Sequence, residues 1–298
     1  MIALLLIGCG GPPTGIPDAP GPIDAAVLPD LISIGSPDLP FLLWLTPTQL
    51  AVEDWRECPS VFLRDGGVTA QAGDCIDSGG TRWYGSVSLT TDGERDSITF
   101  NEFGADNGIG GWVADGTLSA ERTPGGTGYI LTTDVAVVSL AGGVSNLFWA
   151  KTESAYTTYD SYWYADRHDG TVGIQDWGTA TVASRQVPLA FVYDCGWAAH
   201  TAGTMNFQGS NAASVQFYQG FLDIAMDPPA TDTADTGSGA DTSETGDTGG
   251  DTDRPDFDDD DDPDGACGVC REAEISGTPL EECLDLTRTF SWPFPAPF

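Results

Sequence analysis

A short unit recurs through the middle of this chain: glycine, serine or threonine, an apolar residue, a small or polar residue, then another apolar or small one. It reads GSVSL at 85–89, GTLSA at 116–120, GTATV at 178–182 and GTMNF at 203–207. Val87 and Leu89, Ala180 and Val182, and Met205 and Phe207 then fall on one face at period two, as in an extended strand. Two longer runs, YILTTDVAVV (129–138) and VPLAFVY (187–193), alternate in the same way. Turn-forming clusters separate the runs: TDGE (91–94), ADNGIGG (105–111), TPGGTG (123–128), AGG (141–143) and HDG (168–170). The unit spacings are irregular, which excludes a fixed-period solenoid or propeller. The expectation is a mostly β protein, an antiparallel meander forming a sandwich or an open barrel, with about eight to ten strands between residues 58 and 227. One short helix precedes it at 46–57, with Thr46 as cap and Pro47 in the first turn.

The charge balance narrows the partners. Of 298 residues, 11 are basic and 45 acidic, for a formal net charge of −34. Nucleic acid and anionic lipid surfaces are bound by clustered Lys and Arg, so neither fits. Cations, neutral surfaces such as glycans, and water remain. The run PFLLWL (40–45) is too short to span a bilayer and is bounded by prolines.

Seven cysteines are present: Cys9, Cys58, Cys75, Cys195, Cys267, Cys270 and Cys283. Setting Cys9 aside leaves an even set, as expected of disulfides in an oxidising compartment. Cys58 and Cys75 bracket a short loop and are expected to pair. Parity then joins Cys195 to one of the three late cysteines, and the other two to each other. Residues 266–298 would thereby be tied back to a β domain spanning 46–227. Cys267-x2-Cys270 with Cys283 also has partial zinc-site spacing, with Cys195 or His200 as the fourth ligand, but an exported chain favours disulfides.

Residues Leu6-Ile7-Gly8-Cys9 follow the apolar lead IALLLIG and resemble the lipobox of bacterial lipoproteins. The resemblance implies diacylglycerylation of the Cys9 thiol, removal of residues 1–8 as a signal-peptide remnant, and anchoring in the membrane through lipid. The lead is short and has no basic n-region, so the true start is expected upstream of Met1. Gly10 stands where an aspartate would retain such a protein at the inner membrane, which implies the outer membrane of the bacterial cell envelope. Residues 9–45 open on a Gly/Pro-rich stretch and are expected as anchor and tether. With the acidic tract described next, the chain resembles Asp/Thr/Gly-rich surface lipoproteins of Gram-negative bacteria, a class with no shared activity.

Residues 228–265 are low-complexity Asp/Thr/Gly, with 14 acidic residues against Arg254. Such a composition cannot bury enough surface to offset its ordering entropy, so a long disordered acidic loop is expected. Within it Asp260, Asp262, Asp264 and Gly265 match the opening of an Asp-x-Asp-x-Asp-Gly calcium loop. The position of the bidentate glutamate is Arg271, however, and a solvated acidic spacer explains the run equally. Ca²⁺ is the one cofactor this composition brings into view.

Two other candidates concern chemistry. The chain holds two histidines and no Gly-x-Ser-x-Gly elbow, His-Glu-x-x-His or phosphate-binding glycine loop. YADRHDG gathers Asp166, His168 and Asp169, an acid–base cluster in form, but Asp169-Gly170 reads better as a hairpin tip. The segment 154–178 concentrates aromatics, among them Tyr156, Tyr159, Tyr162, Trp163, Tyr164 and Trp177. Side chains of Tyr162-Trp163-Tyr164 must alternate faces in a strand, so part of the set points away from a core. Tyr162, Trp163, Tyr164 and Trp177 are the candidate ligand-binding residues, against simple cross-strand pairing. The resulting expectation is a lipid-anchored envelope protein with a non-catalytic binding role toward a glycan or envelope protein. The alternatives are a hydrolase of an extracellular polymer and a purely structural protein.

Overall fold

A computed structural model describes residues 12–52, 58–64, 66–108, 110–140, 145–159, 162–189, 203–217 and 270–280. Two helices come first, α1 (Leu28–Ile34) and α2 (Asp38–Val52). Fourteen strands follow: β1 (Ser60–Arg64), β2 (Gly67–Gln71), β3 (Cys75–Ile76), β4 (Arg82–Asp92), β5 (Arg95–Asp106), β6 (Gly111–Arg122), β7 (Gly128–Ser139), β8 (Asn146–Tyr159), β9 (Tyr162–Ile174), β10 (Gly178–Leu189), β11 (Gly203–Gln208), β12 (Ala212–Phe217), β13 (Cys270–Ile275) and β14 (Thr278–Pro279). They form one open antiparallel sheet in chain order, with β3 paired to β4 off the main path. The mostly β meander is as expected. The described residues between 60 and 217 hold twelve strands, more than the eight to ten expected, because β1, β2 and β3 are short and lack a clear alternation.

The recurring units all fall in strands: β4, β6, β10 and β11 carry them, and the turns at 93–94, 107–110 and 123–127 separate strands as read. HDG does not. His168, Asp169 and Gly170 sit inside β9, each paired on both sides with β8 and β10. A turn dipeptide carries no turn when neighbouring strands supply ladder partners on both flanks.

The helices replace a second sheet as the cover of the inner face. α2 packs on β1, β2, β4, β6 and β7, whereas α1 packs on β8 and β9. The tether expected over 9–45 is corrected for its described residues: Leu28, Leu31, Ile32 and Ile34 of α1, and Leu39, Phe41, Leu42 and Leu43 of α2, are buried. The helix expected at 46–57 starts at Asp38. It is apolar all round, the pattern of a buried helix rather than a surface one. Thr46 does not cap it but donates from Oγ1 to Leu42 O at 2.9 Å, and Pro47 lies inside it. The cap is Ser36, whose Oγ accepts from Asp38 N at 3.1 Å and donates to the Asp38 carboxylate at 3.0 Å.

Ahead of α1, residues 13–24 strap across the sheet. Thr179 N donates to Ala19 O and Gly21 N to Thr179 O, and Asn211 brackets Ile23 with bonds of 2.6 and 2.9 Å. Trp177 lies flat on Gly21, where a side chain would collide with the indole, and its Nε1 donates to Pro22 O at 2.7 Å.

The sheet bends at successive bulges. Register shifts occur at Tyr84/Ser86 in β4 and Phe100/Phe103 in β5. Gly85 there has φ 57°, and backbone oxygens of Asn101 and Glu102 leave no room for a Cβ. Glu102, at φ 47°, donates its N–H to Asp115 Oδ1 across the bulge at 3.3 Å, and burial holds the Asp115 carboxyl above its ordinary pKa. Cys58 and Cys75 form the expected disulfide, with Cα atoms 6.0 Å apart, tying the start of β1 to β3. β13 pairs antiparallel with β12, so strands far apart in the chain are neighbours in the sheet.

Candidate binding surface

The two faces of the sheet differ in chemistry because period-two alternation sorts their side chains. On the inner face near α2, Trp83, Phe100, Phe103 and Trp112 are fully buried, with Phe103 6.0 Å from Trp83 and 6.4 Å from Trp112 between ring centres. Under α1 the inner face turns polar. Thr152, Ser154 and His168 are buried on β8 and β9, the strands α1 packs on, with Thr133 of β7 and Ser184 of β10 buried on the strands either side. Ser154, His168 and Ser184 are direct cross-strand neighbours on β8, β9 and β10. Ser154 Oγ lies 2.7 Å from His168 Nδ1. This serine–histidine pair superficially meets the geometry of a nucleophile and base. Both residues are fully buried beneath the helices, so the pair is part of the packing.

The outer face carries a ladder of charges over β7–β10. Lys151 pairs with Asp134 at 3.2 Å, Arg167 with Glu153, and Arg185 with Asp169 at 2.7 Å. All six side chains are about one-third to one-half exposed, so each pair contributes little to stability. What the ladder does is fix three of the chain's few cations in neutralised positions.

Beside the ladder the same face dips into a groove of about 260 Å³ over β10–β13. Its floor comes from two register rows. Ala183, Asn206, Ser214 and Glu274 make one, and Thr181, Gln208 and Ala212 the other. Small side chains at Ala183, Ala212 and Ser214 leave the depth, and Asn206, Gln208, Thr181 and Glu274 supply donors and acceptors. Asn206, Gln208 and Glu274 are exposed. Gln208 Nε2 already donates to Gly209 O at 3.0 Å, which orients its amide. Such a set recognises hydroxyl and amide groups by hydrogen bonding.

The residues singled out in the sequence distribute unevenly. Cys9, Cys195, Cys267, Cys283, Asp260, Asp262 and Asp264 lie outside the described residues, as does the acidic stretch 228–265. Cys270 opens β13. Tyr162, Trp163 and Tyr164 open β9, with their backbones registered against Tyr159, Thr158 and Thr157 of β8; their side chains lie outside the described set. Trp177 is spent on the N-terminal strap, its edge on Pro22 and its face on Gly21. Tyr156 is fully buried. Among the described residues no three His, Cys, Asp or Glu side chains gather as a metal site. The groove was not visible in the sequence. Its residues come from four strands, and alanine, serine and asparagine in short strands carry no chemical signature until the register aligns them.

No family model matches the chain, and no curated protein or solved structure shows significant similarity to it.

Proposed function

We propose that this chain is a lipid-anchored protein of the bacterial cell envelope, and that its β domain is a non-catalytic module binding a neutral, hydroxyl-rich partner such as a glycan. The anchor reading rests on the lipobox-like Leu6-Ile7-Gly8-Cys9. The binding reading rests on one observation, the β10–β13 groove, where Thr181, Asn206, Gln208, Ser214 and Glu274 converge over a floor of small residues. A formal charge of −34 supports a neutral partner, since polyanions are repelled.

Titration with neutral polysaccharides, followed by amide chemical shifts, tests the binding reading. Shifts should concentrate on β10–β13, and Ala183→Trp, which fills the groove, should abolish them. Saturable shifts confined to other strands, or none with neutral or charged polysaccharides, would remove the groove from consideration. For the anchor, incorporation of labelled fatty acid should disappear in Cys9→Ser; retention of label in that variant would reject lipidation at this residue.

A further inference from the structure

The chain enters the fold almost at once after Cys9. Only Gly10 and Gly11 separate that cysteine from Pro12, the first described residue, and Pro13 is already buried. Ile16 N donates to Pro13 O at 3.1 Å, closing a turn, and Ile16 clusters with Ala136, Leu147 and Trp149. Asp176 N donates to Gly15 O at 3.0 Å and Ser210 N to Gly21 O at 2.9 Å, while Asn211, which brackets Ile23, also donates to Ser276 Oγ at 3.2 Å. The strap is thus fastened along the turns at 175–177, 209–211 and 276–277. Because the strands run antiparallel in chain order, these turns and 107–110 lie on one rim of the sheet, where β5, β9, β11 and β13 end. Phe217 and Cys270, the described residues that flank the acidic stretch 228–265, pair across β12 and β13 at the opposite rim.

We propose that the strap rim is the membrane-facing surface of this protein, seated on the lipid headgroups by a tether too short to let the opposite rim reach them. The proposal rests on lipidation at Cys9 and adds orientation and distance to it. Three residue steps span at most about 11 Å, so lipid inserted at Cys9 holds Pro12 within that reach of the bilayer. The opposite rim lies roughly 40 Å away along β8, well beyond it. The chemistry of the rims agrees. Among the described residues, the turns at 107–110, 175–177, 209–211 and 276–277 carry one charge, Asp176, and otherwise Asn, Gln, Ser, Gly and Trp177. Amides and hydroxyls meet headgroups by hydrogen bonding, without strong attraction or repulsion. The stretch with 14 acidic residues joins the fold at the other rim, so its points of attachment are further from the bilayer by the length of β12, about 17 Å. Anionic headgroups repel such a stretch, and this polarity reduces the cost of close seating.

The full-length lipidated chain in phosphatidylcholine nanodiscs containing a gadolinium-chelate headgroup lipid tests the seating. Intact mass first reports the diacylglyceryl group on Cys9; its absence would remove the anchor and this proposal with it. With lipid in place, amide signals at 107–108, 209–211 and 276–277 should be lost to paramagnetic broadening, while those at 93–94 and 125–126 on the opposite rim persist. Uniform broadening, or the strongest loss at 93–94 and 125–126 or along the outer-face ladder of β8–β10, would overturn the orientation and leave the anchor standing. A second variant inserts about twenty Gly/Ser residues between Gly10 and Gly11, adding about 25 Å of flexible reach. That variant should keep its lipid and lose the contrast between the rims. A contrast preserved there would overturn the short tether as its cause.

Discussion

The two helices cover the same sheet in opposite ways. α2 packs on β1, β2, β4, β6 and β7, beside aromatic rings, Trp83, Phe103 and Trp112, that contact one another; its Trp44 packs on Tyr129 and donates Nε1 to Asp96 at 3.1 Å. α1 packs on β8 and β9, which carry Ser154 and His168, with Tyr156 of β8 donating to Pro37 O in the elbow between the helices. Dispersion and apolar burial have no preferred direction, so the α2 side supplies stability while tolerating small shifts. Hydrogen bonds do have direction, so the α1 side contributes less energy but fixes where the elbow sits. The buried hydroxyls of Thr133, Thr152 and Ser184 have no hydrogen-bond partner among the described residues, so these positions contribute less to stability than satisfied ones would.

This contrast can be broken by mutation. Phe103→Ala should cost about 3–5 kcal/mol in chemical denaturation, because it opens a cavity among packed rings. A much smaller loss would mean the α2 side is loosely packed and the contrast is false. Replacing both Cys58 and Cys75 by serine frees a loop of sequence separation 17 and should cost about 3 kcal/mol by chain entropy. Hydrogen exchange should then rise in β1–β3 and leave β8–β10 unchanged.

Smaller effects sharpen the comparison. Tyr156→Phe keeps the ring but removes the bond to Pro37, for a cost of about 1–2 kcal/mol. Exchange should increase at residues 28–38 more than in β4–β6; uniform loosening would deny the elbow its separate control. Asp115→Asn should change least, and its sign depends on pH. Burial holds the Asp115 carboxyl above its ordinary pKa, so its contribution is present in acid and lost as pH rises through that raised value. The variant should melt slightly higher than wild type near pH 7 and level with it in acid, as scanning calorimetry would show.

The legible parts of this molecule are those governed by near neighbours along the chain. The glycine-led units and their alternation placed strands β4, β6, β10 and β11, because side-chain period two is a local property. The spacing of Cys58 and Cys75 likewise announced their disulfide. α1 and the early part of α2 escaped notice. Their leucines follow a Gly/Pro-rich stretch, and a helix apolar on every side has no face for periodicity to reveal. HDG misled for the opposite reason: its turn preference is local, but ladder bonds to β8 and β10 on both flanks outweigh it.

By itself, then, the sequence determined the sheet, its antiparallel order, the strongly acidic character and the lipobox-like start. Only the tertiary structure decided what the sheet encloses and what it displays. Register across β10–β13 turned scattered small and amide residues into a groove. Register across β8–β10 lined Ser154, His168 and Ser184 into a buried row. Cross-strand neighbours lie far apart in the chain, so their chemistry exists only once the strands are paired.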